Sequence, residues 1–215
     1  MADFLTHEIE FRGKEIVANR AKKRLVFCGV GALGSRLVDL LASQGYQDIQ
    51  VIDRERVEAA NFGTQNFGLP DVGRMKAAQV KLNLYKRLNV KIESVEGELR
   101  DNNIAKLLKG ADLVLDLFDN VASRNLVRDY CKAHSVPCLH AGLSGDGFAE
   151  IEWNENYTAY PVPNEDPNVP CDYPLAVNLV AFAVCLAAEA VNRYVDTGQK
   201  QSVHFTIKDL HVHKL

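Results

Sequence analysis

The chain has 215 residues, of which 47% are hydrophobic and 25% are charged, and this balance predicts one compact domain over 1–215. Its formal net charge of -3 provides no basic field that would attract nucleic acid or an anionic membrane surface. The five cysteines form no CxxC pair, which argues against a tetrahedral zinc site and a disulfide framework. The N-terminus has no secretory pattern. We therefore expect a cytoplasmic protein.

Strand and helix patterns alternate along the first two thirds of the chain. After a polar helical segment over 7–23, the pattern predicts strands near 25–28, 49–53, 90–95, 113–118 and 136–140, and helices near 32–44, 72–88, 102–108 and 123–134. This alternation predicts a Rossmann-like α/β fold, in which a mostly parallel sheet has helices on both faces. We interpret 25–142 as the nucleotide-binding half of the domain.

The pattern changes after Gly142. Antiparallel strands are predicted at 148–153, 157–160, 202–208 and 210–214, with a proline-rich loop over 161–174 and an apolar helix over 175–194. The apolar run from Leu175 to Ala190 is interrupted by Asn178 and Glu189. It is shorter than the ~20 residues that a membrane span needs, so we expect a core helix and no membrane contact.

A glycine-rich turn lies between the first predicted strand and the helix after it. Gly29, Gly31 and Gly34 allow a tight turn and let backbone N–H groups approach a phosphate, while Asp53, about 20 residues later, can accept ribose hydroxyls. The pattern is typical of nucleotide binding. It suits NAD as well as ATP, so a nicotinamide-dependent dehydrogenase is an alternative, although no separate substrate domain is visible.

Further polar residues lie near the predicted strand ends, where doubly wound sheets bind their ligands. They are Asn61, Gln65, Lys76, Asp119 and Asn120. Two of them have a simpler interpretation: Asp119 could serve only as a helix N-cap, and a lone Lys76 is more often a solvated helix charge.

Taken together and in this order, these motifs resemble the HesA/MoeB/ThiF family, whose core is shared by ubiquitin-activating enzymes. The matching segments are 29–34, 51–57, 61–65, 72–76, 116–120 and Arg124-Asn125, within about residues 25–150. The resemblance implies a ThiF/MoeB-type adenylyltransferase. Such an enzyme uses ATP to adenylate the C-terminal glycine carboxylate of a ubiquitin-like or sulfur-carrier protein. The resemblance also implies a homodimer, in which residues 143–215 bind the carrier protein and form the dimer contacts.

The resemblance also implies roles for individual residues. Lys76 would hold phosphate, Asp119 would hold Mg²⁺ and Asp53 would hold the ribose. Asn61 and Gln65 would line the phosphate side of the pocket. The remaining nucleotide contacts would fall on Gly29, Gly31, Ala32, Leu33, Gly34, Arg54 and Asn120.

The chemistry of this reaction explains why cations are needed. The attacking carboxylate approaches a phosphate that is already negative, and each like-charge pair costs ~4 kcal/mol at 4 Å and an effective dielectric of 20. Cations and backbone dipoles must therefore neutralise the triphosphate first. No general base is required, because the carboxylate is already ionised.

The sequence departs from the family pattern at Thr64, where members usually carry an arginine. A cationic finger on transferring phosphate contributes ~10³–10⁵ in rate in related chemistry. Another arginine could replace it, or the chain could be a catalytically impaired binding or scaffold subunit. The candidates are Arg54, Arg56 and Arg74 nearby in sequence, and Arg12 and Arg20 of a partner subunit.

The cysteines and histidines leave two alternatives open. Cys171 lies in a proline-bounded loop where thioester-forming family members place a nucleophile, but it could equally be an incidental loop thiol. Cys28, Cys138 and Cys185 are predicted to be core residues. His211 and His213 share one face of a predicted strand, but two ligands without a third do not make a metal site.

Overall fold

A computed structural model of the chain describes residues 3–159 and 175–214. The bounds of its helices and strands are α1 Thr6–Arg12, α2 Lys14–Arg20, β1 Leu25–Cys28, α3 Ala32–Ser43, β2 Ile49–Ile52, α4 Lys76–Leu88, β3 Glu93–Val95, α5 Ile104–Leu107, β4 Leu113–Asp116, α6 Val121–Ala133, β5 Cys138–Leu143, β6 Phe148–Trp153, α7 Val177–Thr197, β7 Val203–Thr206 and β8 His211–Lys214. Short 3-10 turns lie at Ala59–Asn61 and Leu69–Asp71.

The eight strands of the described residues belong to one sheet in the order β3-β2-β1-β4-β5-β6-β7-β8. The first five strands in this order run parallel, and β6, β7 and β8 continue the sheet in antiparallel fashion. The predicted fold class is therefore confirmed. β1 lies between β2 and β4, so the order of the strands reverses there, and the loops after β1 and β4 border the crevice in which such sheets bind ligands.

The strands carry apolar side chains toward both faces of the sheet, because successive residues of a strand point to opposite sides. On one face, Leu25 and Phe27 of β1 pack in a core with α3, α4 and α7. On the other, Val26 and Cys28 pack with α5 and α6. Burial on both faces explains why the parallel strands are continuous apolar runs rather than alternating ones.

The apolar helix α7 extends to Thr197, beyond the predicted end at residue 194. It has 21 residues and is long and apolar enough, by length and composition alone, to cross a membrane, which corrects the expectation that the run is too short. Half of the most apolar 18-residue stretch of this helix is nevertheless buried inside the fold. Leu179, Ala183 and Val191 are among the residues that join the core, and the helix packs against α3, β5 and β6, as predicted for a core helix.

Several predicted bounds differ from the structure, and two of these differences reflect tertiary contacts that override local pattern. The helix predicted to begin at Val72 begins at Lys76, since Met75 forms an isolated antiparallel bridge with Arg56. Residues 157–159 are not a strand. Instead, the ring of Tyr157 stacks on that of His140 with 3.8 Å between centroids.

Candidate nucleotide-binding site

The glycine turn after β1 packs so closely that two of its glycines admit no side chain. Gly29 has a φ of +98°, and a Cβ built there would lie 3.0 Å from the carbonyl oxygen of Leu117. A Cβ on Gly34 would lie 2.1 Å from the carbonyl oxygen of Gly29. The turn therefore rests against the segment that follows β4, which brings residues 117–118 to the same corner of the sheet.

Gly34→Ala should lower the free energy of unfolding by about 1–3 kcal/mol or more, because the new methyl group meets rigid backbone rather than a flexible side chain. Thermal or urea unfolding measures the loss. Gly97→Ala is the matched control, since no described atom lies within 4 Å of its Cβ position. Equal stability of the two variants would contradict the close approach of Gly34 to Gly29.

Asp53 ties the glycine turn to the end of β2. Its side chain is buried, and its two carboxylate oxygens accept the N–H groups of Val30 and Glu55, each at 2.8 Å. Burial raises the pKa of this carboxyl, while the two backbone hydrogen bonds and the charge of Lys76 act to lower the same pKa. A carboxylate has about four lone-pair sites, so Asp53 can still accept a hydroxyl while it holds the turn.

Lys76 is a buried lysine at the first position of α4. Its side chain is 4% exposed, and its Nζ lies 2.6 Å from Oε2 of Glu55, whose own side chain is 54% exposed. A cation at a helix N-terminus opposes the helix dipole and is unfavourable without an anion nearby. Because Glu55 is free to turn to solvent, a bound anion could replace it as the partner of Lys76.

Gln65 lies over the glycine turn with an unsatisfied acceptor. Its Nε2 is 4.0 Å from the Cβ position of Gly31, and its buried Oε1 has no hydrogen-bond partner within 3–159 and 175–214. Buried polar atoms without partners are rare in native proteins. The amide thus offers a donor toward the turn and an acceptor for a ligand hydroxyl, amino group or cation. Asn61 instead shapes the loop, since its Oδ1 accepts the N–H of Glu58 at 2.9 Å.

The segment after β4 ends in an exposed acid. The strand stops at Asp116 rather than at residue 118, and the N-cap of α6 is Asn120, whose Oδ1 accepts the N–H of Ser123 at 2.9 Å. The simpler interpretation of Asp119 as the cap is therefore wrong. In the part of the chain that the structure describes, no hydrogen bond or ion pair engages the Asp119 carboxylate, which is thus free to bind a cation.

Arg36 is a residue of this region that sequence reasoning missed. From the second turn of α3, its Nε donates to the carbonyl oxygen of Thr64 at 2.6 Å, and its Nη2 donates to that of Gly63 at 3.2 Å. A guanidinium therefore lies beside the position where the family carries an arginine. In the sequence, Arg36 is marked only by its position in the helix that follows the glycine turn.

Four of the five arginines proposed from the sequence are engaged elsewhere. Arg54 pairs with Glu98, and Arg56 donates to the carbonyl oxygen of Gly73. The two arginines proposed for donation to a partner subunit bind acids of α7 in their own chain: Arg12 pairs with Glu189 at 2.6 Å, and the fully buried Arg20 pairs with Asp196 at 2.5 Å. Arg74 is exposed.

Arg36→Ala should weaken the binding of ATP about tenfold or more, because hydrogen bonds to charged groups contribute ~1.5–3 kcal/mol and these two hold the 61–65 loop in place. Isothermal titration calorimetry measures the change. Arg87→Ala is the matched control, since Arg87 of α4 forms a partly exposed ion pair with Asp39, which lies on α3 as Arg36 does. If both variants bind like the unmodified protein, the loop does not depend on Arg36.

The cysteines divide between core and surface. Cys171 lies outside the described residues. Cys28 and Cys138 are buried as predicted, and burial raises the pKa of each thiol well above its ordinary value, which makes both unreactive. Cys185 was predicted to be a core residue and is exposed, because it lies on the outer face of α7.

Comparison with known proteins connects this geometry to a family. The profile of the ThiF family matches residues 7–210. The chain belongs to the ThiF family. Among its relatives are the SAMP-activating enzyme E1 of Haloferax volcanii, 31% identical over 134 residues, and the probable adenylyltransferase/sulfurtransferase MoeZ of Mycobacterium tuberculosis, 30% identical over 191 residues.

The extent of these matches is partial. The aligned regions cover 61% of this chain and 49% of the SAMP-activating enzyme, and 82% of this chain and 48% of MoeZ. The chain thus spans about half the length of these ThiF-family relatives. Among solved structures, Escherichia coli MccB with ATP superposes with a TM-score of 0.81 at 18% identity, over 100% of this chain and 71% of that chain. That likeness shows the shared fold.

Proposed function

We propose that this protein binds ATP with Mg²⁺ and adenylates the C-terminal glycine carboxylate of a ubiquitin-like or sulfur-carrier protein. The observation that carries the proposal is the meeting of three features at one sheet edge. The glycine turn rests on the segment before Asp119, Asp53 holds the same turn through the N–H of Val30, and the charge of Lys76 acts to lower the pKa of the Asp53 carboxyl. The relatives support it, since they are named as adenylyltransferases or as enzymes that activate SAMP.

The residues present fit a nucleotide. Among the described residues, no side chain caps the N-terminus of α3, so the N–H groups of Ala32 and Leu33 remain available to a phosphate. The side-chain amide of Gln65 lies beside the turn, with its Nε2 4.0 Å from the Cβ position of Gly31 and its Oε1 unsatisfied among the described residues. When bound, ATP would supply the activated α-phosphate and pyrophosphate as leaving group.

The chain's own residues then provide charge and position. Lys76 and the N-terminus of α4 offer positive charge to the triphosphate, and Asp119 would hold Mg²⁺ through its free carboxylate. Arg36, beside Thr64, is the cation best placed to replace the missing family arginine. Fixed charges of this kind in a shaped site lower the barrier without a general base.

The test has two steps. Calorimetry with ATP and Mg²⁺, and separately with NAD, should show binding of the adenine triphosphate only. ATP–pyrophosphate exchange should then require a small carrier protein that ends in Gly-Gly. Binding of NAD but not of ATP would favour the dehydrogenase alternative and refute the proposal.

A second candidate is a binding subunit that has lost catalysis, and the observation that favours it is Thr64. Arg54 and Arg56 are held by other partners, and Arg36 is itself engaged by backbone carbonyl groups. Exchange that appears only when a second subunit with an arginine at the matching position is added would support this candidate. Exchange by the protein and carrier alone would exclude it.

We also propose a homodimer whose contacts lie in 143–215, and a thioester on Cys171 after adenylation. Light scattering with size-exclusion chromatography tests the first by the measured mass. A reductant-sensitive conjugate with the carrier that disappears in Cys171→Ala tests the second. Neither outcome changes the assignment of the nucleotide site.

A further inference from the structure

Three metal-ligating side chains meet on the antiparallel part of the sheet, outside the nucleotide site. Glu150 and Glu152 lie two residues apart on β6 and therefore share a face. His204 of β7 lies directly opposite Glu150 in the strand register. One ligand atom from each side chain lies within 4.8 Å of the others.

β8 places a further imidazole beside this cluster. His213 is the register partner of His204, and cross-strand partners project to the same face of a sheet. The ring of His213 also lies 4.4 Å from that of His211. His211 and His213 are the two histidines for which the sequence offered no third ligand. The pairing of β7 with β8 places His204 opposite His213.

The charges of the cluster are incompletely compensated. His204 Nε2 contacts Glu152 Oε1 at 2.9 Å, whereas no hydrogen bond to the Glu150 carboxylate is found among the described residues. Burial raises the pKa of the Glu150 carboxyl and the charge of Arg124 acts to lower it, but the hydrogen bonds of Arg124 go to the Tyr157 hydroxyl and the Ala141 carbonyl. Two carboxylates on one face repel each other, and a cation between them would relieve that repulsion.

We propose that Glu150, Glu152 and His204 form a binding site for one divalent transition metal of the zinc class, with His213 or water as the fourth ligand. Imidazole nitrogen with carboxylate oxygen is a donor set that zinc accepts in tetrahedral sites. The metal would join β6 to β7, and through His213 it would also anchor the exposed edge strand β8.

The experiment titrates Zn²⁺ alone into the full chain, with calorimetry for affinity and thermal unfolding for stability. We expect one zinc per chain and a higher Tm in its presence. Glu150→Gln, which keeps the shape of the side chain, and His204→Ala should each weaken zinc binding more than about tenfold, since even changes beyond the direct ligands cost 10–100-fold.

His134→Ala is the matched control, because His134 is an exposed histidine at the C-terminal end of α6 and does not belong to the cluster. It should bind zinc like the unmodified protein. Circular dichroism confirms that each variant is folded before titration. Unchanged zinc affinity in folded Glu150→Gln and His204→Ala, or no zinc binding at all by the unmodified chain, would overturn the proposal.

Discussion

Lys76→Ala should reduce ATP–pyrophosphate exchange about 100- to 1,000-fold, the range observed when one preorganised charge-stabilising donor is removed from an active site. The structure gives the reason. Lys76 is buried at the N-terminus of α4, where its charge and the helix dipole both favour an anion, and its ion-pair partner among the described residues is the half-exposed Glu55. A lysine in this position is unfavourable for the helix unless a ligand uses its charge.

The control for this prediction lies on the same helix. Lys81→Ala removes an exposed lysine of α4 and should leave exchange unchanged. Stability should change little in Lys76→Ala, since Glu55 can be solvated once it loses its partner. Undiminished exchange in Lys76→Ala would refute the assignment of Lys76, and an equal loss in Lys81→Ala would show that the effect is not specific to the site.

The parallel half of the fold could be predicted from the sequence because its signals are local. Buried strands such as Leu113–Asp116 are short apolar runs, and the helices between them repeat with a different period. Two of the predicted helix and strand bounds that are wrong depend on contacts between residues that are distant in the sequence. Lys76 begins its helix late because Met75 pairs with Arg56, and no local pattern encodes that bridge.

The candidate site divides in the same way. The glycines, Asp53 and Lys76 could be found because their spacing along the chain matches a family pattern. Arg36 could not, because its importance depends on where the loop at Thr64 folds back onto α3. The cluster around His204 was equally hidden, since Glu150 and His204 become neighbours only through the register of β6 with β7.

The N-terminal helices depend on another long-range contact that the sequence did not reveal. Arg20 is fully buried, its Nη2 lies 2.5 Å from Oδ2 of Asp196 on α7, and its Nη1 lies 3.1 Å from Oε2 of Glu8. The guanidinium also lies 5.8 Å from the ring centroid of Tyr46. These contacts fix α1 and α2 to the core, so we interpret the two helices as part of the domain.

Arg20→Ala should therefore lower the free energy of unfolding by about 3–5 kcal/mol, because it leaves the carboxylate of Asp196 buried without a partner. For a chain of this size the loss corresponds to a fall in Tm of roughly 6–20 °C. Thermal and urea unfolding measure it. Lys23→Ala, which breaks an ion pair with the partly exposed Asp112, should cost less than about 1 kcal/mol.

A double variant separates the charge from the packing. If the cost of Arg20→Ala comes from an unpaired Asp196, then adding Asp196→Asn should recover part of the lost stability, since a neutral amide is less costly to bury than a carboxylate. A loss no larger than that of Lys23→Ala would contradict the buried pair. The buried pair holds Arg20 within its own chain, so Arg20 is not available for donation to a partner subunit.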